Sequence, residues 1–162
     1  MSPAADEGQA ITAEGLDALK AELAELEGPA REALSKRIQA ARAEGDLKEN
    51  AEYHVAKEDQ AHLETKILRL RERLRRAVVV EADHDAQTVA FGSTVTVTDL
   101  EAGREQRFTI VGPTEADLSA GRLSSESPVA TALMGAAPGD VVEVQTPRGA
   151  RRWRVDRLGA GE

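Results

Sequence analysis

Apolar residues recur through the first half of the chain at spacings of three and four. Leu16, Leu19, Leu23, Leu26, Ala30, Leu34, Ile38 and Ala41 form one stripe, and Tyr53, Ala56, Gln60, Leu63, Ile67, Leu70, Leu74 and Ala77 form a second. Such spacing keeps one side of an α-helix apolar and, sustained over several turns, describes a coiled-coil seam. The strong helix formers Ala, Leu, Glu, Lys and Arg dominate the stretch from Thr12 to Ala77. Laid antiparallel, the stripes match end to end, Leu16 opposite Ala77 and Ala41 opposite Tyr53, which places the fold-back near Asp46 and Leu47. Thr12 is the expected N-cap of the first helix, with Glu14 and Asp17 near the positive end of its dipole. Gly28 and Pro29 interrupt that helix, and the missing amide and crowded ring predict a kink there. Gln60 reads as a polar residue that sets the register of the seam. From Leu16 to Asp46 the helix would reach roughly 45 Å at about 1.5 Å per residue, so the hairpin is a device for reach.

Beyond Val80 the period changes to two, in FGSTVTVTD and REQRFTIVG, and the chain turns to strands. VVEVQT and RRWRV predict a closing hairpin around Pro147, Arg148 and Gly149. Between the sheet halves, SPVATALMG predicts a short helix with Ser127 as N-cap, Pro128 at the first helical position and Gly135 as the stop. The expected fold class is α+β: an N-terminal antiparallel helical hairpin, a coiled coil, followed by a sheet domain with one short helix. The expected organisation is a flexible N-terminus over 1–10, the hairpin over 11–80 with an acidic tip at 45–50, a linker over 81–90, the sheet domain over 91–158 and a C-terminal tail over 159–162.

Composition narrows the function classes. Aromatic residues are only 2% of a chain that is 41% hydrophobic and 31% charged, so its cores are aliphatic and small, which disfavours a deep cofactor pocket. A net charge of -8 argues against free nucleic acid as the main ligand, because phosphate binding needs a cationic surface, and favours a protein partner. The absence of cysteine rules out disulfides and thiolate metal sites and fits a reducing cytoplasm. The first ten residues hold no apolar stretch, and the run from Ala77 to Val80 is far too short for a bilayer, so neither export nor membrane insertion is expected.

The tip reads Gly45-Asp46-Leu47-Lys48-Glu49-Asn50 and admits two readings. In the first, Gly45 ends one helix, Asp46 caps the next and Glu49 reaches back to complete a capping box. In the second, Asp46 and Glu49 jointly hold a hard divalent cation, for which two carboxylates make an incomplete site that binds weakly unless another molecule supplies the remaining oxygens. His54 and His62 fall beside the seam and read as solvent-facing, not as a metal pair, and His84 lies in the linker.

The tip GDLKENAEY, preceded by AARAE and followed by HVAKEDQAHLETKILRLRERL, closely resembles the tip and second helix of GreA-type transcript-cleavage factors. SSESPVATALMG resembles a second signature of that family, and FGSTVTVTDL with TPRG and the closing strand resembles its C-terminal domain, so the likeness extends from about Ile11 to Leu158. The resemblance implies an FKBP-like antiparallel sheet domain and a factor that enters the secondary channel of RNA polymerase. There the polymerase cuts its own backtracked RNA. By the same resemblance, Asp46 and Glu49 help hold a second magnesium and its attacking water in the polymerase centre, the free protein carries no cofactor, and the Mg2+ is shared with the polymerase. Arg42 and Lys57, with Lys48 assisting, would contact the 3′ segment of the backtracked RNA, and Glu126, Ser127 and Pro128 would dock on the channel rim. The factor would act as a monomer in the cytoplasm, would stimulate hydrolysis in a partner and would not itself be an enzyme. The Gly-Pro pair near the bend and the first ten residues depart from the family pattern.

Three rivals share parts of this pattern. An inhibitory Gre homologue has the same architecture with an altered tip, against which the intact GDLKEN speaks. A peptidyl-prolyl isomerase needs an apolar aromatic pocket, for which only Phe91, Phe108 and Trp153 are available in that half. A non-catalytic coiled-coil adaptor would not need both the acidic tip and SSESPVATALMG.

Overall fold

The structure is a computed structural model and describes residues 8–46, 49–83 and 85–159. It divides into two compact units, one formed by Leu16–Ala77 and the other by Gln9–Gly15 together with the chain from Val78 onward.

The first unit is the antiparallel helical hairpin. Helix α1 (Ala13–Glu25) runs through a π turn (Leu26–Ala30) into α2 (Arg31–Arg42), and α3 (Ala51–Arg76) returns beside it. Every position of both stripes is buried or half-buried, with Ile67 fully so. Ion pairs flank the seam: Arg31 grips Glu64 with two bonds of 2.9 and 2.7 Å, Arg37 meets Asp59 at 3.0 Å, Lys66 meets Glu22 at 3.6 Å, and Arg71 bonds Glu27.

The interruption expected at Gly28-Pro29 takes the form of the π turn. The Arg31 amide bonds the Leu26 carbonyl five residues back, and Pro29 sits inside the widened turn. An α turn would bring the proline ring against the carbonyl four residues earlier, and the wider turn relieves that contact. It also solves a problem of length. The stripe from Leu16 to Ala41 is one residue longer than the stripe from Tyr53 to Ala77, although each contributes eight side chains. A π turn absorbs one extra residue, so Leu34, Ile38 and Ala41 stay on the seam.

The second unit is a five-stranded sheet with order β5-β4-β3-β7-β6. Its strands are β3 (Thr94–Asp99), β4 (Arg104–Val111), β5 (Arg122–Ser124), β6 (Val141–Thr146) and β7 (Gly149–Leu158). All pairings are antiparallel except β4 with β5, so the sheet is mixed, with one parallel edge that a three-residue strand gave no period to foresee. Helix α4 (Pro128–Leu133) buries Ala130 and Leu133 among Val95, Val97, Ile110, Val144 and Val155. Phe108 and Trp153 stack at 5.9 Å in the same core. At the end of β3, Asp99 accepts the amides of Glu101 and Ala102 and pairs with Arg151 at 2.9 Å. Burial alone would raise the pKa of Asp99, and these partners together hold it below the ordinary carboxylate range.

Residues Gln9–Gly15 differ from the expected organisation. Gln9–Ile11 forms β1, which pairs with β2 (Ala77–Val79), so Gln9 and Ala10 are not part of a flexible N-terminus. Thr12 caps α1 as expected, its Oγ1 accepting the Gly15 amide at 3.0 Å, and the same hydroxyl donates to Glu115. The Glu115 side chain is buried and also accepts the Thr12 and Gly112 amides, each at 3.0 Å, with Arg122 at 3.3 Å. This buried carboxylate ties 9–15 to the sheet unit. Among the described residues, no helix is long and apolar enough to cross a membrane.

Candidate functional site at the hairpin tip

The tip is built from the two helix ends. Helix α2 stops at Arg42, and the amides of Ala43, Glu44 and Gly45 bond back to Gln39, Ala41 and Arg42. Gly45 has φ +116, a conformation that side-chain-bearing residues rarely adopt, so the expected role of glycine in ending this helix is met. Asp46 and Glu49 are both exposed. Leu47 and Lys48 lie outside the described residues, and with them the expected role of Lys48.

The capping-box reading of Asp46 and Glu49 is corrected by the structure. The N-cap of α3 is Asn50, with φ -90 and ψ 96, whose Oδ1 accepts the Tyr53 amide at 3.1 Å. Its Nδ2 donates to the Ala41 carbonyl at 2.6 Å, across the hairpin. Asparagine caps as well as aspartate, so the helix can begin at Ala51, beyond both carboxylates. Sequence reasoning overlooked Asn50 because Asp46-x-x-Glu49 has the box spacing and precedes it.

Arg42 is the last residue of α2, and Lys57 lies in the second turn of α3; both are exposed. Each stands one residue past a seam position, as do Arg31 and Glu64, which bond across the hairpin, so both cations share that flank. The Lys57 ammonium also donates to the Gln60 amide oxygen at 3.0 Å. His54 and His62 are exposed, and His62 pairs with Glu58 at 3.6 Å; His84 is outside the described residues.

In the sheet unit, Ser127 caps α4 as expected: its Oγ accepts the Ala130 amide at 3.1 Å and donates to the Ser124 carbonyl at 2.8 Å. Glu126 and Pro128 on either side are exposed. This bonding fixes the segment in one shape and leaves its flanks to solvent.

Among the described residues, no group of three or more His, Cys, Asp or Glu side chains could hold a metal ion. Asp46 and Glu49 supply anionic oxygens, the donor chemistry of a hard divalent cation, but only as part of a coordination shell.

Family comparison settles what this architecture is. The model of the N-terminal domain of transcription elongation factors matches residues 9–79, and the C-terminal model of transcription elongation factor GreA/GreB matches 84–157. The chain belongs to the GreA/GreB family of transcription elongation factors. Transcription elongation factor GreA of Nautilia profundicola is 45% identical over 149 residues, covering 91% of this chain and 92% of that one. The GreA of Clostridioides difficile is 46% identical over 146 residues, covering 90% and 92% respectively. The solved structure of GreA factor homolog 1 of Thermus thermophilus is 28% identical, and the match covers 95% of this chain and all of that one, with a TM-score of 0.42. Membership in the GreA/GreB family accounts for both units of the chain. Of the rivals, an isomerase is further disfavoured because Phe108 and Trp153 are buried and stacked on each other in the core.

Proposed function

We propose that this protein acts on RNA polymerase as a transcript-cleavage factor, its hairpin entering the secondary channel so that the polymerase cuts backtracked RNA in its own active centre. The observation that carries this reading is the tip. Two carboxylates stand exposed at the end of a long hairpin, and the helix they precede is capped by Asn50 instead. Family membership supports the polymerase as the partner.

Asp46 and Glu49 present anionic oxygens that complete a magnesium site otherwise supplied by the polymerase and RNA. When bound, Mg2+ supplies an activated water and neutralises charge on the scissile phosphate. Arg42 and Lys57 on one flank hold the phosphates of the RNA 3′ segment, and Lys48 assists. Glu126, Ser127 and Pro128 dock on the channel rim, their conformation preset by the Ser127 bonds. The protein is not itself an enzyme, carries no cofactor when free, and works as a monomer in the cytoplasm.

The test is the double variant Asp46→Asn with Glu49→Gln on a backtracked elongation complex with Mg2+. RNA shortening collapses while polymerase affinity and the melting temperature stay near those of the unaltered protein. A folded, polymerase-bound double variant that cleaves at the unaltered rate would sink the metal-site role. An unaltered protein that slows synthesis without shortening RNA would identify an inhibitor instead.

A further inference from the structure

We propose that Asn50 is a positioning residue for the tip carboxylates, acting through its amide nitrogen as well as through its cap, an inference that rests on the cleavage reading above. The cap alone uses Oδ1, which accepts the Tyr53 amide at 3.1 Å and orients the first turn of α3. Nδ2 does something a cap does not require. It reaches back across the hairpin to the carbonyl of buried Ala41, in the last turn of α2, at 2.6 Å. That carbonyl also accepts the Glu44 amide at 3.2 Å, so one oxygen gathers the end of one helix and the start of the next.

The consequence for the site is geometric. Asp46 and Glu49 both lie in the chain segment that the Asn50–Ala41 bond closes, and Glu49 is the residue directly before the pin. Closing a short segment at both ends reduces the conformations it samples. The cap fixes the dihedral angles of Asn50, and with them the direction in which Glu49 leaves the helix. Two carboxylates that must converge on one cation lose more from a loose turn than a helix does, because misplacement of about 1 Å can cost roughly a hundredfold in rate.

Asn50→Ser separates the two halves of the side chain, since serine caps about as well as asparagine but has no donor long enough to reach Ala41. Asn50→Ala removes both. Amide hydrogen exchange on the free proteins is the first readout. In Asn50→Ser the Tyr53 amide stays protected while the amides of Glu44 and Gly45 exchange faster, and in Asn50→Ala both regions exchange faster. The second readout is Mg2+-dependent cleavage with a backtracked complex. Asn50→Ser cleaves about tenfold to a hundredfold more slowly and needs more Mg2+ for half its maximal rate, with polymerase affinity unchanged. Cleavage by Asn50→Ser at the unaltered rate overturns the proposal. So does a loss of cleavage that only tracks lost Tyr53 protection, which would leave Asn50 as a cap alone. If the unaltered protein shortens no RNA, it is the cleavage reading that fails; the exchange at Glu44 and Gly45 still decides the pin, and unchanged exchange there overturns it.

Discussion

The carboxylate of Glu115 shows how far a single residue can reach. It accepts two backbone amides, a hydroxyl and a guanidinium while its side chain is almost wholly buried. The packing against it is close enough to exclude a methyl group: a Cβ on Gly15 would stand 2.1 Å from the nearer Glu115 oxygen. Two effects therefore oppose each other in Gly15→Ala. Alanine is favoured over glycine in a helix by up to about 1 kcal/mol. Displacing Glu115 leaves buried donors unsatisfied at roughly 1–3 kcal/mol each. The second effect wins, and Gly15→Ala is expected to destabilise the sheet unit by about 2 kcal/mol, measured by denaturant unfolding with Trp153 fluorescence as the probe. A variant as stable as the unaltered protein would show that the Glu115 network has no such hold. Thr12 was legible as a cap because capping is local. The tie from Glu115 to Thr12 was not, because the two lie 103 residues apart and that spacing carries no period.

At the scale of elements, the hairpin depends on register and on the charges beside it. The π turn at Leu26–Ala30 holds the extra residue of the first stripe, so deletion of Pro29 is expected to turn it into α-helix and to leave the seam intact. Deletion of Lys36 has no such reserve, and rotates Ile38 and Ala41 off the seam by about 100°. Circular dichroism should show a cooperative melt near the unaltered temperature for the first deletion and a markedly lower one for the second; equal losses would refute the register account. The Arg31–Glu64 bridge adds a pH dependence. Glu64 is held below the ordinary glutamate range, chiefly by its hydrogen bonds to Arg31, which outweigh the opposing effect of burial. A depressed carboxylate contributes stability that is present above its unfolded pKa, about 4.3, and is lost as pH falls through the folded value. The melting temperatures of the unaltered protein and Glu64→Gln should therefore differ most above about pH 5 and converge as pH falls below about 4. A constant gap across that window would count against the bridge.

At the scale of the whole molecule, the proposed function assigns reach to the hairpin and docking to the sheet unit. The hairpin carries exposed carboxylates at its tip, and the sheet unit carries Glu126, Ser127 and Pro128 on a preset turn. The partial donor set at the tip leads to one further expectation. Calorimetric titration of the free protein with Mg2+ should give no tight stoichiometric binding at Asp46 and Glu49, because two carboxylates fill only part of an octahedral shell. Tight binding in the absence of polymerase would contradict the shared site.

The seam, the fold-back, the four longer strands of the sheet and the short capped helix were all legible in the sequence alone, because each is written in a repeating period or a local cap. The likeness to GreA-type factors also came from contiguous motifs at the tip and around Ser127. What tertiary structure decided was how those pieces share atoms. Asp46-x-x-Glu49 and Asn50 compete for the same helix start, and Asn50 takes it as its amide also meets the Ala41 carbonyl, a partner visible only once the hairpin has closed. The parallel β4–β5 edge and the anchoring of Thr12 on Glu115 are of the same kind. Each depends on atoms brought together by folding, for which spacing along the chain holds no signal.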